Sequence, residues 1–363
     1  VQPDTRPGIY FKDGVCGACL YAQEKKNIDW KQRGYELWGI VDQAKSKSKG
    51  YDCVVGVSGG KDSTFQSLWA RYILKLHPLL VNAVPGGRTE TGNKNIQNLK
   101  SLGFDMVEFS PNPQVLKKMI RRDFFKFLNP VKVTEYYLYA ASYIMADKFN
   151  IPLVIQGENI ALTLGASKSG QTPDGDALNV DDTITLQSSY KEYLEDGITE
   201  QDLYWYHYDK QHLRDKGIRA IFLQYYVKDW SNTGNAEFAV KHGLSPRPNH
   251  DPAKTGYLNP YGSVDSNLNI VNQTFKYWKF GFGHVTDEVC YDIRDGRMTR
   301  EEAIPLVEKY DGACDSNYFI EFAKAIGITM NEFWATVDKF YNKDLFEKVG
   351  KYKFIPRFKV GVG

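Results

Sequence analysis

The sequence predicts an α/β fold: a doubly wound parallel five-stranded sheet with helices on both faces, followed by a mainly helical C-terminal region. Three observations predict it. Short apolar runs rich in β-branched residues alternate with helix-length amphipathic stretches between residues 51 and 227, and that alternation implies right-handed crossovers and a parallel sheet. The chain has 363 residues, 42% hydrophobic and 25% charged, enough for a sizeable core. Beyond Phe238 the alternation is lost, and two capping boxes, Thr299-x-x-Glu302 and Thr329-x-x-Glu332, open apolar-periodic helical stretches.

The elements follow in order. Pro3, Pro7, Gly8, Gly14 and Gly17 punctuate an irregular start, and residues 29–44 read as one amphipathic helix. The lysines of 45–49 form its solvated end, where positive charge meets the negative end of the helix dipole. Residues 53–57 are the first strand, followed by a Ser-Gly-Gly turn and a helix over 63–76. Strands at 78–83, 106–110, 152–156 and 218–227 alternate with helices at 89–102, 115–127 and 134–150. The polar stretch 163–189 is either an insertion or a lid that orders on ligand. Residues 245–261, studded with Pro, Gly and Asn, are loop. The expected units are 1–50, 51–240 and 241–363.

Composition excludes several classes. Lys+Arg 46 against Asp+Glu 44 leaves a formal charge of +2, which gives no electrostatic footprint for a dedicated nucleic-acid binder. No apolar run is long enough to span a bilayer and no signal pattern opens the chain, so a cytoplasmic protein is expected. Five cysteines, odd in number and sparse, do not form a secreted disulfide framework. Of these, Cys53 is expected in the core, and Cys290 and Cys314 as ordinary thiols. His242, His250 and His284 lack metal-ligand spacing and read as loop or surface histidines. Asp229, after the fifth strand, could reach the sheet edge; the aromatic run 204–208 is read as packing.

The sharpest signal is Ser58-Gly59-Gly60-Lys61-Asp62-Ser63, placed between strand and helix. Paired glycines let backbone N–H groups approach an anion, the helix N-terminus adds positive potential, and Lys61 and Ser63 supply further donors. It is not a Walker loop, because Gly56 to Gly60 encloses three residues and Asp62 follows Lys61. At the end of the fourth strand stand Gly157, Glu158 and Asn159. Gly157 permits close approach, and Glu158 could hold Mg²⁺ or orient substrate at the same sheet edge.

This six-residue segment resembles the pyrophosphate (PP) loop of the ATP-pyrophosphatase superfamily, whose fold is adenine nucleotide α-hydrolase-like. The resemblance implies that Ser58–Ser63, with Gly157 and Asn159, bind ATP, and that Lys61, Asp62 and Glu158 act with Mg²⁺ in cleavage between the α- and β-phosphates. Longer stretches, among them Thr5-Arg6-Pro7-Gly8-Ile9, Gly14-Val15-Cys16-x-x-Cys19, Phe280-Gly281-Phe282-Gly283 and Ile293-Arg294-x-Gly296-Arg297-Met298-Thr299, resemble the N-acetyl sugar amidotransferases of bacterial lipopolysaccharide and surface-sugar biosynthesis. That resemblance implies conversion of an acetamido to an acetamidino group on a sugar, expected as nucleotide-linked, with ammonia from a separate glutaminase subunit. It also implies an N-terminal cysteine knuckle with structural Zn²⁺, of which only Cys16 and Cys19 stand in this chain. The alternative within the superfamily is a tRNA thiolation or lysidine-type enzyme, disfavoured by the near-neutral charge.

Overall fold

The computed structural model describes residues 8–165, 175–182 and 189–362. An antiparallel pair, β1 (Phe11–Lys12) and β2 (Val15–Cys16), leads into α1 (Gly17–Glu24) and α2 (Trp30–Lys47). The sheet comprises β3 (Cys53–Gly56), β4 (Pro78–Ala83), β5 (Met106–Phe109), β6 (Leu153–Gln156) and β7 (Arg219–Phe222) in the order β5-β4-β3-β6-β7, with every pairing parallel. The crossovers carry α3 (Lys61–Tyr72), α4 (Glu90–Ser101), α5 (Pro113–Phe127) and α6 (Lys132–Phe149). The strand order reverses at β3, so the crevice beside its carboxyl end is where such sheets bind ligands.

The period-two alternation of β3 divides two cores. Val54 joins Leu79, Val81 and Val154 against α5 and α6, whereas Cys53 and Val55 join Leu80, Leu153 and Ile155 against α2 and α3. The first core continues into the C-terminal region, because Phe275 stacks among Phe124 of α5, Phe319, Phe322 and Phe333. After β6 come α7 (Ile160–Thr163), α8 (Lys210–Asp215), α9 (Leu223–Tyr226), α10 (Asn232–Lys241) and α11 (Pro252–Thr255). The C-terminal helices are α12 (Leu268–Phe280), α13 (His284–Arg294), α14 (Arg300–Tyr310), α15 (Ser316–Ile326) and α16 (Met330–Phe340). Both expected capping boxes form, on α14 and α16, with each half present.

Two expectations are corrected. The fifth strand stops at Phe222 rather than Val227, because Gln224 donates its N–H to the Gly157 carbonyl (3.1 Å) and its Oε1 accepts from Asn159 N (2.7 Å), turning the chain into α9. The C-terminal region is mainly helical, as expected, and ends in an antiparallel hairpin of β8 (Phe346–Gly350) and β9 (Lys353–Pro356). The start is not irregular throughout, since Asp13 and Gly14, both at positive φ, close the β1–β2 turn. Most of the expected lid, residues 166–174 and 183–188, lies outside the described residues. Between them, Phe222 N donates to Gly175 O (2.9 Å) and Asp176 bridges Ile221. The aromatic run packs as expected, with Tyr206 edge-on to Tyr137 and Trp205 against Phe109. Among the described residues no helix is long and apolar enough to cross a membrane.

Candidate active site

The loop Ser58–Ser63 sits at the carboxyl end of β3. Gly59 turns it at φ +86°, with its α-carbon packed towards Ile96 and the Gly92 carbonyl, so that any side chain would be both strained and crowded. Gly60 is the N-cap of α3 and carries no capping side chain, which leaves first-turn N–H groups of α3 for an anion. Ser63 and Thr64 hydroxyls both donate to the Gly60 carbonyl at 3.0 Å and fix the turn from behind.

A cavity of about 320 Å³ opens in front of the loop, within the range of about 300–1,000 Å³ usual for small-molecule sites. Ser58, Gly60, Lys61, Asp62 and Ser63 line one wall and Glu158 another. Lys61 Nζ pairs with Asp62 Oδ2 at 2.5 Å, and Asp62 Oδ1 accepts from Asn235 Nδ2 of α10 at 2.8 Å. Gly157 and Asn159 do not face this cavity. A Cβ on Gly157 would lie 2.6 Å from Gln66 Oε1, and buried Asn159 caps α7 by accepting from Ala161 N (3.0 Å). Asp229 is exposed beyond β7 and is not a lining residue.

The sequence reading missed the opposite walls. Glu135 comes from α6, and Asn259, Asp265, His284 and Tyr291 come from the C-terminal region. Asp265 is brought in by long-range ties: Thr89 N donates to Asp265 O (2.9 Å), and the Thr89 hydroxyl donates to Val264 O. Gly92 lets α4 approach, since a Cβ there would stand 2.7 Å from Asp265 Cα. The one local signal was a glycine inside an otherwise polar helix, which marks close backbone approach. His284, expected as a loop or surface histidine, instead opens α13 and faces the cavity, its ring 3.9 Å from that of Tyr257.

Burial dominates the electrostatics. It pushes His284 down to about 3, so the imidazole is neutral at physiological pH. It raises Glu135 to about 7, with the Glu158 charge adding, and Asp265 to about 6. Glu158 is raised by burial and then by the charge of Asp62. Four carboxyl groups therefore face one ammonium, Lys61, among the described lining residues. Carboxylates paired with phosphate oxygens are the usual Mg²⁺ donor set, and Asp62 and Glu158 fit it.

Zinc does not fit. Among the described residues no group of three or more His, Cys, Asp or Glu side chains gathers as a metal site. Cys19 instead donates to Cys16, which holds the Cys16 thiol down at about 5 against the opposing effect of burial. Cys290 of α13 and Cys16 are near enough for each charge to disfavour ionisation of neighbouring thiols, Cys290 acting on Cys19 and Cys16 on Cys290. Cys53 is fully buried in the sheet, as expected.

Residues 255–359 match the family model described as "LPS biosynthesis protein WbpG-like, C-terminal domain". Thus the stretch that supplies Asn259, Asp265, His284 and Tyr291 to the cavity is similar to a domain of lipopolysaccharide biosynthesis. No curated protein matches the chain in sequence. Solved structures similar to it include an NMN synthetase from Francisella tularensis, 17% identical over 61% of this chain and 100% of that one, TM-score 0.29. An NH3-dependent NAD synthetase from Campylobacter jejuni is 13% identical over 56% of this chain and 97% of that one, TM-score 0.31. An NAD+ synthetase from Burkholderia pseudomallei is 14% identical over 61% and 91%, TM-score 0.27. The parallel sheet, its strand order and the loop at its carboxyl edge are read from the chain itself.

Proposed function

We propose that this chain is the synthetase component of an ATP-dependent amidotransferase that converts the acetamido group of a bacterial surface-polysaccharide sugar into an acetamidino group. The observation that carries the proposal is one cavity shared by the PP loop and the C-terminal residues of the lipopolysaccharide-type domain.

The acetamide oxygen attacks the α-phosphorus of ATP, and the bond to the bridging oxygen breaks, releasing pyrophosphate. Loss of the amide N–H proton leaves an O-adenylyl imidate. Ammonia then adds to the imidate carbon, the C–O bond breaks with its electron pair going to AMP, and the amidinium product forms. The α3 N–H groups and Lys61 stabilise charge on the departing pyrophosphate. Ser58 and Ser63 offer further donors to phosphate oxygens. Mg²⁺ held by Asp62 and Glu158 would neutralise phosphate charge. Neutral His284, with Tyr291, lines the same cavity, and in this reading the two orient the sugar amide.

Ammonia comes from a separate glutaminase subunit or, in vitro, from ammonium salts. The test is mass spectrometry of candidate nucleotide-linked acetamido sugars incubated with the protein, Mg²⁺-ATP and ammonium chloride. Replacement of O by NH in the sugar with formation of AMP is expected. AMP formation without any change in sugar mass would reject the assignment.

A further inference from the structure

We propose that the outer face of the β8–β9 hairpin docks the protein on an anionic lipid bilayer. The inference goes beyond the function proposed above and does not depend on it.

The charge of the chain is unevenly placed. From Lys343 to Lys359 stand six basic residues, Lys343, Lys348, Lys351, Lys353, Arg357 and Lys359, against two acidic ones, Asp344 and Glu347. That segment carries +4 while the whole chain carries +2, so everything outside the hairpin is net acidic. A block of one sign in a near-neutral chain marks a local contact surface. Among the described residues, Lys348 is ion-paired, with both carboxylate oxygens of Asp338 at 2.6 Å, and the other five are not.

Apolar side chains share this surface. The period-two alternation turns Phe346 and Phe354 inward, where Phe354 packs on Trp278 and Tyr341, and leaves Glu347, Val349, Lys353 and Ile355 exposed. Val349 is 46% exposed and Ile355 43%. At the turn, the Tyr352 ring lies 4.6 Å from that of Trp334 and ties the hairpin to α16. Lysines alone would be accounted for by the need to guard strand edges against pairing. Edge protection does not call for aliphatic side chains in water on the open face.

Charge decides among the occupants. A second copy docking about a two-fold axis would set this basic face against itself, like charge on like. A nucleic acid would engage the cations but gain nothing from Val349 and Ile355, and the Tyr352 ring is already packed on Trp334. An anionic bilayer matches both parts of the surface, since its headgroups attract Lys and Arg and its interface accepts shallow aliphatic side chains.

The test is co-sedimentation of the whole chain with vesicles of equimolar phosphatidylglycerol and phosphatidylcholine, beside vesicles of phosphatidylcholine alone. Binding to the mixed vesicles that weakens with added salt is expected, with none to phosphatidylcholine. Each cation at such a surface is worth about fivefold in affinity. Lys351→Gln, Lys353→Gln and Arg357→Gln combined should therefore lose about a hundredfold. Val349→Ser with Ile355→Ser, which leaves the charge untouched, should lose about tenfold. The substituted side chains are exposed, so the melting temperature should hold; should a combined variant melt early, Lys353→Gln alone carries the test, with an expected loss of about fivefold. Absence of binding to the mixed vesicles at low salt overturns the proposal, as does binding that survives the three glutamine substitutions. Undiminished binding by the serine pair overturns it as well, because the aliphatic part of the face would then play no role. A single-stranded RNA complex, or a dimer in sedimentation velocity, that the glutamine substitutions abolish while vesicles leave the wild type unbound would assign the face to that occupant instead.

Discussion

Lys61→Ala separates the chemistry proposed for the Ser58–Ser63 loop from its architecture. The Lys61 side chain is 11% exposed and that of its partner Asp62 28%, so the ammonium acts in a partly desolvated setting. At an effective dielectric near 20, unit charges 4 Å apart interact by about 4 kcal/mol. Charge development of about half a unit on the departing oxygen is then worth about 2 kcal/mol, and the charge-assisted hydrogen bond adds about 1.5–3 kcal/mol. Transition-state stabilisation of roughly 3.5–5 kcal/mol corresponds to a rate loss from several hundred-fold to about 5,000-fold. The fold should tolerate the change, because Asp62 keeps its 2.8 Å bond from Asn235 and some solvent contact. The expected cost in stability is therefore about 1 kcal/mol or less. The assay is release of pyrophosphate and AMP beside a thermal melt of the same preparation. Turnover within about threefold of wild type, with the melt unchanged, would refute the role given to Lys61.

Gly59→Ala places a β-carbon at φ +86° and 3.2 Å from Ile96 Cγ1. It should cost about 1–2 kcal/mol in backbone strain and raise the KM for ATP; an unaltered ATP KM would show that loop shape is not limiting. Phe275→Ala, in the aromatic cluster joining α12 to α5, α15 and α16, should destabilise by about 3–5 kcal/mol, measured by urea unfolding. A loss below about 1 kcal/mol would mean the helices do not share that core. Burial raises Glu288 from 4.5 to about 8. Its contribution to stability is full below the unfolded value and is lost as pH climbs to the folded one, since the unfolded chain ionises first. Glu288→Gln should flatten the fall in melting temperature between those pH values, and an undiminished fall would show that Glu288 does not cause it.

Much of the sheet and half of the site were legible because both rest on local signals. The run Cys53 to Val57 before Ser58-Gly59-Gly60 carries its own strand, turn and helix start, and the structure puts the loop at the switch in strand order. The facing half was not legible. Glu135, Asp265 and His284 reach the cavity through contacts between residues far apart in sequence, such as Thr89 with Val264 and Asp265. No local pattern announces such ties. The fifth strand was over-extended because Leu223 to Tyr226 is apolar, and only the tertiary bonds of Gln224 to Gly157 and Asn159 end it. The hairpins differ. Asp13-Gly14 is a known turn signal, and Gly350 precedes an alternating stretch, so both were available to a reading alert to period two.

The central claim is that the acetamide oxygen becomes part of AMP, and isotope transfer tests it most directly. An acetamido sugar labelled with ¹⁸O in the acetyl carbonyl would be incubated with the protein, Mg²⁺-ATP and ammonium, and the AMP and pyrophosphate analysed by mass spectrometry. The account predicts one ¹⁸O in the phosphate of each AMP and none in pyrophosphate. Label in pyrophosphate, or label retained in the sugar while AMP accumulates, would contradict it.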